Sequence, residues 1–359
     1  MSRPISRTKH LLGIGILLAA AVALALATRA YSAISKPEPI APLALGPVDY
    51  VGSLRTAADV KGKPSGFKKF INKVIGLEPD RRGMILPQGV AVDSKGRVLV
   101  ADARGRSVDI FDAANRKFKQ LHAPYSDPFV SPIAIALDSQ GRIYVTDSGR
   151  ARIFVFRPDG KFLKVLGALG KAESIFKRCT GLAIDRRTDT LYVVDTIAMR
   201  VVVLNSEGKV LKRIGQPGDG AAEFNYPTYI AVAADGSLWI VDSLNFRVQH
   251  LDASGKFIAA FGEIGDGTGA FDKAKGIAVD GSGRVLVVEG MNDRVQAYDS
   301  QGQFLFTFGH TGNGPGEFFL PTGIALDGSG KVYVADSQNR RVEMFKLNSE
   351  SPGGPPFAR

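Results

Sequence analysis

The sequence predicts an all-β fold, a six-bladed β-propeller of four-stranded blades. Two observations carry this. The first is an internal repeat. The segment Leu86-Pro-Gln-Gly-Val-Ala-Val-Asp-Ser-Lys-Gly-Arg-Val-Leu-Val-Ala-Asp102 returns as Leu320-Pro-Thr-Gly-Ile-Ala-Leu-Asp-Gly-Ser-Gly-Lys-Val-Tyr-Val-Ala-Asp336, and the same frame ends at Asp147, Asp195, Asp242 and Glu289. These acidic residues stand 45 to 48 positions apart, the period of a propeller blade. The second is glycine, 41 among 359 residues, placed in turn pairs such as Asp159-Gly160, Glu207-Gly208 and Ser254-Gly255 between short apolar runs. Arranging such sheets around an axis buries both faces of each blade and leaves no long free edge.

The elements follow in chain order. Residues 1–36 read as a targeting segment: Arg3, Arg7 and Lys9 precede an apolar and small-residue run over 11–27. The run fits a cleaved signal peptide or an uncleaved signal-anchor helix, and both put the remainder outside the inner membrane, in the periplasm or cell envelope. Residues 37–47, with Pro37, Pro39, Pro42 and Pro47, read as an extended linker. Residues 48–83 hold a closing strand over 48–54 and a basic amphipathic helix. In that helix Phe67, Phe70, Ile71, Val74 and Ile75 share one side, and Lys68, Lys69 and Lys73 take the other. The stripe favours docking on the propeller over lying on an anionic membrane. Residues 84–345 are the propeller. In the first copy, Val90-Ala-Val is the innermost strand, Val98-Leu-Val-Ala the second and Val108-Asp-Ile-Phe the third; residues 256–262 and 303–309 show the fourth in later copies. The last copy stops after its third strand, so 48–54 is expected to complete it. Residues 346–359 read as a flexible tail.

The frame Pro-x-Gly-[Ile/Val]-Ala-[Val/Leu]-Asp, followed by Val-Ala-Asp-Ser-x-Asn-x-Arg-Val, resembles the NHL repeat. The chain is similar to six-bladed NHL propellers of the bacterial exported type over residues 84–345. The resemblance implies the propeller fold but several functions, since related propellers include receptor-kinase sensor domains, substrate- or RNA-binding domains and an α-amidating lyase. The lyase would imply a zinc held by histidines reaching the axis from several blades.

The acidic column Asp102, Asp147, Asp195, Asp242, Glu289 and Asp336 precedes by five residues an arginine column, Arg152, Arg200, Arg247, Arg294 and Arg341. The spacing predicts bidentate pairs that fasten each loop. Ser107 takes the arginine place in blade 1, with Arg106 as the expected substitute. The glycine-rich loops 218–224, 265–271 and 312–318 lack the Gly-Lys-[Ser/Thr] of a phosphate loop and read as compact turns whose phenylalanines pack between blades.

Residues that vary from copy to copy are the binding candidates. Arg104, Arg106, Arg150 and Arg340 make one sector of the loop face basic. Met199, Phe246 and Met291 make the opposite sector apolar, with Asp293 beside them. Tyr229 replaces the small residue of the axial column Gly89, Ala134, Gly181, Gly276 and Gly323. An asymmetric face of this kind suits a protein or peptide partner.

His250 falls in a third-strand column and is expected off the axis; His122 and His310 fall in loops. No three histidines share inner-strand places, so no catalytic residue and no cofactor is predicted, and an axial zinc or calcium belongs to the alternative reading, a metal-dependent propeller lyase or hydrolase. Of the net charge of +11, about five charges lie in residues 1–36 and about five in 52–83, leaving the propeller near neutral. Nucleic acid is therefore not expected as a partner; the membrane is one only through an uncleaved N-terminal segment. A single cysteine, Cys179, excludes a disulfide framework.

Overall fold

The computed structural model of the protein describes residues 47–61, 83–168 and 174–348. The targeting segment, the linker up to residue 46, the amphipathic helix expected over 64–76 and residues 349–359 lie outside the described residues. Among the described residues no helix is long and apolar enough to cross a membrane.

Six antiparallel four-stranded sheets follow one another, five of them in simple sequential order. Blade 1 comprises β2 (Pro87–Val92), β3 (Val98–Asp102), β4 (Ser107–Asp112) and β5 (Lys117–Leu121). Blade 2 comprises β6 (Pro132–Leu137), β7 (Ile143–Asp147), β8 (Arg152–Phe156) and β9 (Phe162–Leu166). Blade 3 comprises β10 (Cys179–Asp185), β11 (Thr190–Asp195), β12 (Arg200–Leu204) and β13 (Val210–Ile214). A short parallel pair, β14 (Gln216–Pro217) and β15 (Glu223–Phe224), leads to blade 4: β16 (Pro227–Val232), β17 (Leu238–Asp242), β18 (Arg247–Leu251) and β19 (Phe257–Phe261). Blade 5 comprises β20 (Ala274–Val279), β21 (Val285–Glu289), β22 (Arg294–Tyr298) and β23 (Phe304–Phe308). Blade 6 holds β24 (Pro321–Leu326), β25 (Lys331–Asp336) and β26 (Arg341–Leu347), and its outer strand is β1 (Val48–Leu54) from the other end of the chain. A single helical turn, α1 (Ala57–Lys61), follows β1, with Thr56 and Asp59 capping its start.

The second and third strands are the driest, which explains their Val, Ile and Leu content. The second strands β3, β7, β17 and β21 are buried along their whole length. Apolar clusters sit between neighbouring blades; Val288, Phe308, Phe318, Val334 and Phe345, for example, join blades 5 and 6. Each such side chain contributes about 1.5–3 kcal/mol on burial.

The phenylalanine of each glycine-rich loop is fully buried: Phe224, Phe271 and Phe318. Each lies on a glycine just past an outer strand. At Gly309, where φ is +83°, an added Cβ would stand 2.2 Å from the Phe318 ring. Only glycine permits both that backbone and that approach.

The acidic and arginine columns work differently from the expected pairs. Arg247 and Arg341 do meet Asp242 and Asp336, at 2.9 and 2.7 Å, and Arg200 stands 3.9 Å from Asp195. Arg152 instead pairs with Asp127 at 3.1 Å, and Arg294 donates to the carbonyls of Asp266 and Gly267. The acidic residues mainly accept backbone N–H groups from the segment entering the inner strand. Asp102 accepts from Ile85, Leu86 and Gly105; Asp147 from Val130, Ser131 and Arg150; Glu289 from Asp272, Lys273 and Met291. A buried carboxylate satisfied by backbone donors needs no guanidinium. This also removes the role expected of Arg106, which is exposed and makes no ion pair with Asp102 among the described residues.

Candidate functional site

The loops joining second and third strands lie on one face of the ring with the glycine-rich loops. Each ends in a non-glycine residue of left-handed backbone: Arg106, Ala151, Met199, Phe246, Asp293 and Arg340, with φ between 49° and 56°. A conformation repeated in every blade serves the turn, at a cost on the order of 1 kcal/mol each. What varies is the side chain displayed there.

Phe246 and Met291 come together; the other predicted residues do not join them. With Leu244 they wall a cavity of about 520 Å³ at the junction of blades 4 and 5. Met291 and Leu244 are about half exposed. Met199 packs on the core between blades 3 and 4. Asp293 is buried, and its carboxylate accepts the Leu320 N–H at 2.7 Å, so it fastens a loop and does not face a partner. Arg150 donates to the Pro128 carbonyl and lies 3.5 Å from Asp127. Arg104, Arg106 and Arg340 are exposed, away from the lining of this cavity. Tyr229 lies on inner strand β16, its phenol pushed up by burial. Its Cα stands 2.8 Å from where a Cβ at Gly181 would be, so the small residues of this column allow neighbouring inner strands to approach.

Toward the axis a further column lines the same face. In blades 3, 4 and 6 the second residue of the inner strand is threonine, and its hydroxyl meets one from the residue just past the second strand: Thr180 with Thr196 at 2.7 Å, Thr228 with Ser243 at 2.7 Å, Thr322 with Ser337 at 2.8 Å. These hydroxyls also donate to the next blade's carbonyls. Thr196 reaches Pro227, Ser243 reaches Ala274 and Ser337 reaches Pro87. The pairs are therefore clamps between blades.

Blade 5 carries Lys275 and Gly290 at these two places. A Cβ added to Gly290 would stand 3.1 Å from Lys275 Cγ, so the lysine stem occupies the room the missing side chain leaves. Lys275 lines the blade 4–5 cavity and also an adjoining cavity of about 240 Å³ toward blades 6 and 1, where Gln88, Thr322 and Ser337 contribute. Its ammonium is held below the usual lysine range, first by burial and then by the charges of Lys273 and Arg178, with Glu289 opposing. Lys273 lines both cavities as well. The signal in the sequence that could have singled out Lys275 is a charged residue at a place held by threonine in blades 3, 4 and 6, together with the loss of the hydroxyl residue at Gly290.

His250 stacks on Trp239, with ring centroids 3.8 Å apart and planes 9° from parallel, inside blade 4. His310 faces Glu317 at 3.4 Å, and His122 meets the Arg106 carbonyl. Among the described residues no group of three or more His, Cys, Asp or Glu side chains is arranged to hold a metal. Cys179 is buried at the start of β10, where four of the other inner strands begin with proline, and burial pushes its thiol up.

A sequence profile of a family described as a 6-bladed beta-propeller matches residues 126–202, 182–261 and 278–353. No curated protein matches the sequence. Solved structures do resemble the fold. A protein of unknown function from Bacteroides thetaiotaomicron superposes with a TM-score of 0.60 at 17% identity, over 75% of this chain and 71% of that one. A gluconolactonase from Xanthomonas campestris gives 0.57 at 17% identity, over 74% and 86%. Virginiamycin B lyase from Staphylococcus aureus gives 0.54 at 16% identity, over 73% and 95%. At such identities the likeness is one of fold alone.

Proposed function

The chain belongs to the 6-bladed beta-propeller family, and on that premise we propose that it is an exported binding scaffold or sensor, built of NHL-type repeats, that holds a partner or ligand on its loop face. The observation that carries this reading is the concentration of departures from the repeat at one place. Leu244, Phe246 and Met291 present apolar surface, Lys273 and Lys275 present charge, and all line the cavity between blades 4 and 5. Exposed apolar anchors beside charge are the composition of a recognition surface. The opposite face holds a larger cavity of about 770 Å³, but its lining is mainly the repeated Asp-x-Ser-Gly and Asp-x-x-Gly turns around Asp280, Asp299 and Asp327, whose carboxylates are engaged by their own turns.

The test is photo-crosslinking in the native cell envelope. A photoreactive residue at Met291 is expected to give a discrete adduct, and one at Ser300 on the opposite face none. Equal labelling from both positions would overturn the proposal. A second reading, a metal-dependent lyase or hydrolase, draws on the fold it shares with a lyase and a gluconolactonase. Elemental analysis of the dialysed protein separates the two: about one tightly held zinc or calcium per chain would favour the second.

A further inference from the structure

Lys275 is a lysine where neighbouring blades have hydroxyl clamps. Among the described residues its ammonium enters no ion pair and no hydrogen bond. Its surroundings add positive charge: Lys273 stands two residues away on the same rim, and Arg178, whose guanidinium donates to Tyr226 Oη at 3.2 Å, acts on it across the cavity. Glu289, the carboxylate that opposes these charges, is already occupied by the backbone N–H groups of Asp272, Lys273 and Met291, and the cavity lining itself carries two lysines against one carboxylate, that of the exposed Asp272. Gathering like charges on a half-buried stem is unfavourable unless an anion joins them. Gly290 gives up a clamp hydroxyl to make room for the stem. Two positions thus depart together from the clamp of blades 3, 4 and 6, at a cost to blade-to-blade bonding.

Beside this charge lies the apolar wall of Leu244, Phe246 and Met291. We infer that the blade 4–5 cavity is a seat for an amphipathic organic anion, its oxyanion head at Lys275 and Lys273 and its apolar body against Phe246 and Met291. This rests on the reading of the cavity as a binding surface and specifies the chemistry it selects. An oxyanion accepts from an ammonium in short, charge-assisted bonds, while a neutral ligand of the same shape leaves the ammonium unpartnered.

The experiment uses the full-length protein and two fluorescent probes of similar shape: 1-anilinonaphthalene-8-sulfonate, which carries an oxyanion, and neutral N-phenyl-1-naphthylamine. Two variants are compared with the wild type. K275T installs the residue of blades 3, 4 and 6 and so suits the fold, and the double variant L244S/M291S removes exposed apolar surface only. The expected result is that K275T weakens sulfonate binding about tenfold or more and leaves the neutral probe within about twofold. L244S/M291S should weaken both. Octanoate or octyl phosphate should displace the sulfonate, and the stronger competitor identifies the oxyanion. If K275T leaves sulfonate binding unchanged while L244S/M291S still weakens both probes, the cavity binds but the anion seat is refuted. If L244S/M291S changes neither probe, the binding surface itself is refuted, and the seat with it. Displacement by neither competitor also overturns the seat. Melting curves confirm that each variant is folded.

Discussion

The seam that closes the ring contains a charge imbalance whose effect on stability is measurable. Arg341, at the start of β26, is almost fully buried between two carboxylates: its Nε donates to Asp336 at 2.7 Å and its Nη1 stands 2.9 Å from Glu343. Its remaining donors go to the carbonyls of Asn313, Gly314 and Glu317. One cation cannot balance two buried anions, so one carboxyl takes a proton. That one is Glu343, opposite Ser53 of the closing strand. Burial raises it from 4.5 to about 7, with Asp336 pushing the same way and Arg341 against. In the unfolded chain the proton leaves near 4.5. The stabilisation it brings is complete below that pH and is lost as pH rises through about 7. At about 1.4 kcal/mol per pH unit the interval amounts to about 3 kcal/mol. E343Q keeps the shape and cannot ionise. At pH 8.5 it should melt about 5 °C above wild type, and near pH 4.5 the two should coincide. Asp109, raised by burial to about 6 in blade 1, adds a slope of the same sign to both proteins and cancels in the difference. The assay is thermal unfolding followed by circular dichroism across pH 4–9. A difference that does not change with pH, or a variant less stable at pH 8.5, would refute the assignment of the proton.

Other outcomes follow from the same structure. Deleting residues 48–54 removes β1 and bares the edge of β26; the variant should lose cooperative melting and self-associate in analytical ultracentrifugation. G309A should lower stability by about 2 kcal/mol or more, because of the positive φ and the Phe318 ring, whereas G328A, with nothing within 4 Å, should be close to neutral in the same denaturant titration. The thiol of Cys179 should resist an aromatic disulfide reagent in the folded protein and react fully in denaturant, since burial keeps it protonated. Trp239 is the sole tryptophan, and its stacked partner His250 titrates below the usual 6.5 because of burial, so emission should fall on acidification with a midpoint under 6.5 and stay flat in H250Q.

The propeller was legible because its signals are local. Alternating apolar runs, turn glycines and a period near 47 residues each mark one blade, and six copies reinforce one another. The acid–arginine columns were only partly legible. Spacing of five suggested a partner across the loop, but the donors that satisfy Asp102 sit 16 and 17 residues earlier, on a segment with no charge to betray it. Difference from the repeat marks the loop-face candidates, and difference alone sorts poorly. Met199 and Asp293 depart from their columns as plainly as Phe246 and Met291 do, yet one packs against the core and the other fastens Leu320. Blade 1 also departs at both places, with Gln88 and Ala103, but Gln88 donates to Ser337 Oγ; what distinguishes Lys275 is that its paired departure, at Gly290, leaves an ammonium with no hydrogen bond or ion pair among the described residues. A lone substitution in a repeat is readily absorbed by packing. Two that fit each other while sacrificing a clamp hydroxyl need an offsetting gain, and Glu289, the carboxylate that acts on Lys275, is already engaged by backbone N–H groups. The gain is therefore to be sought in what the loop face holds.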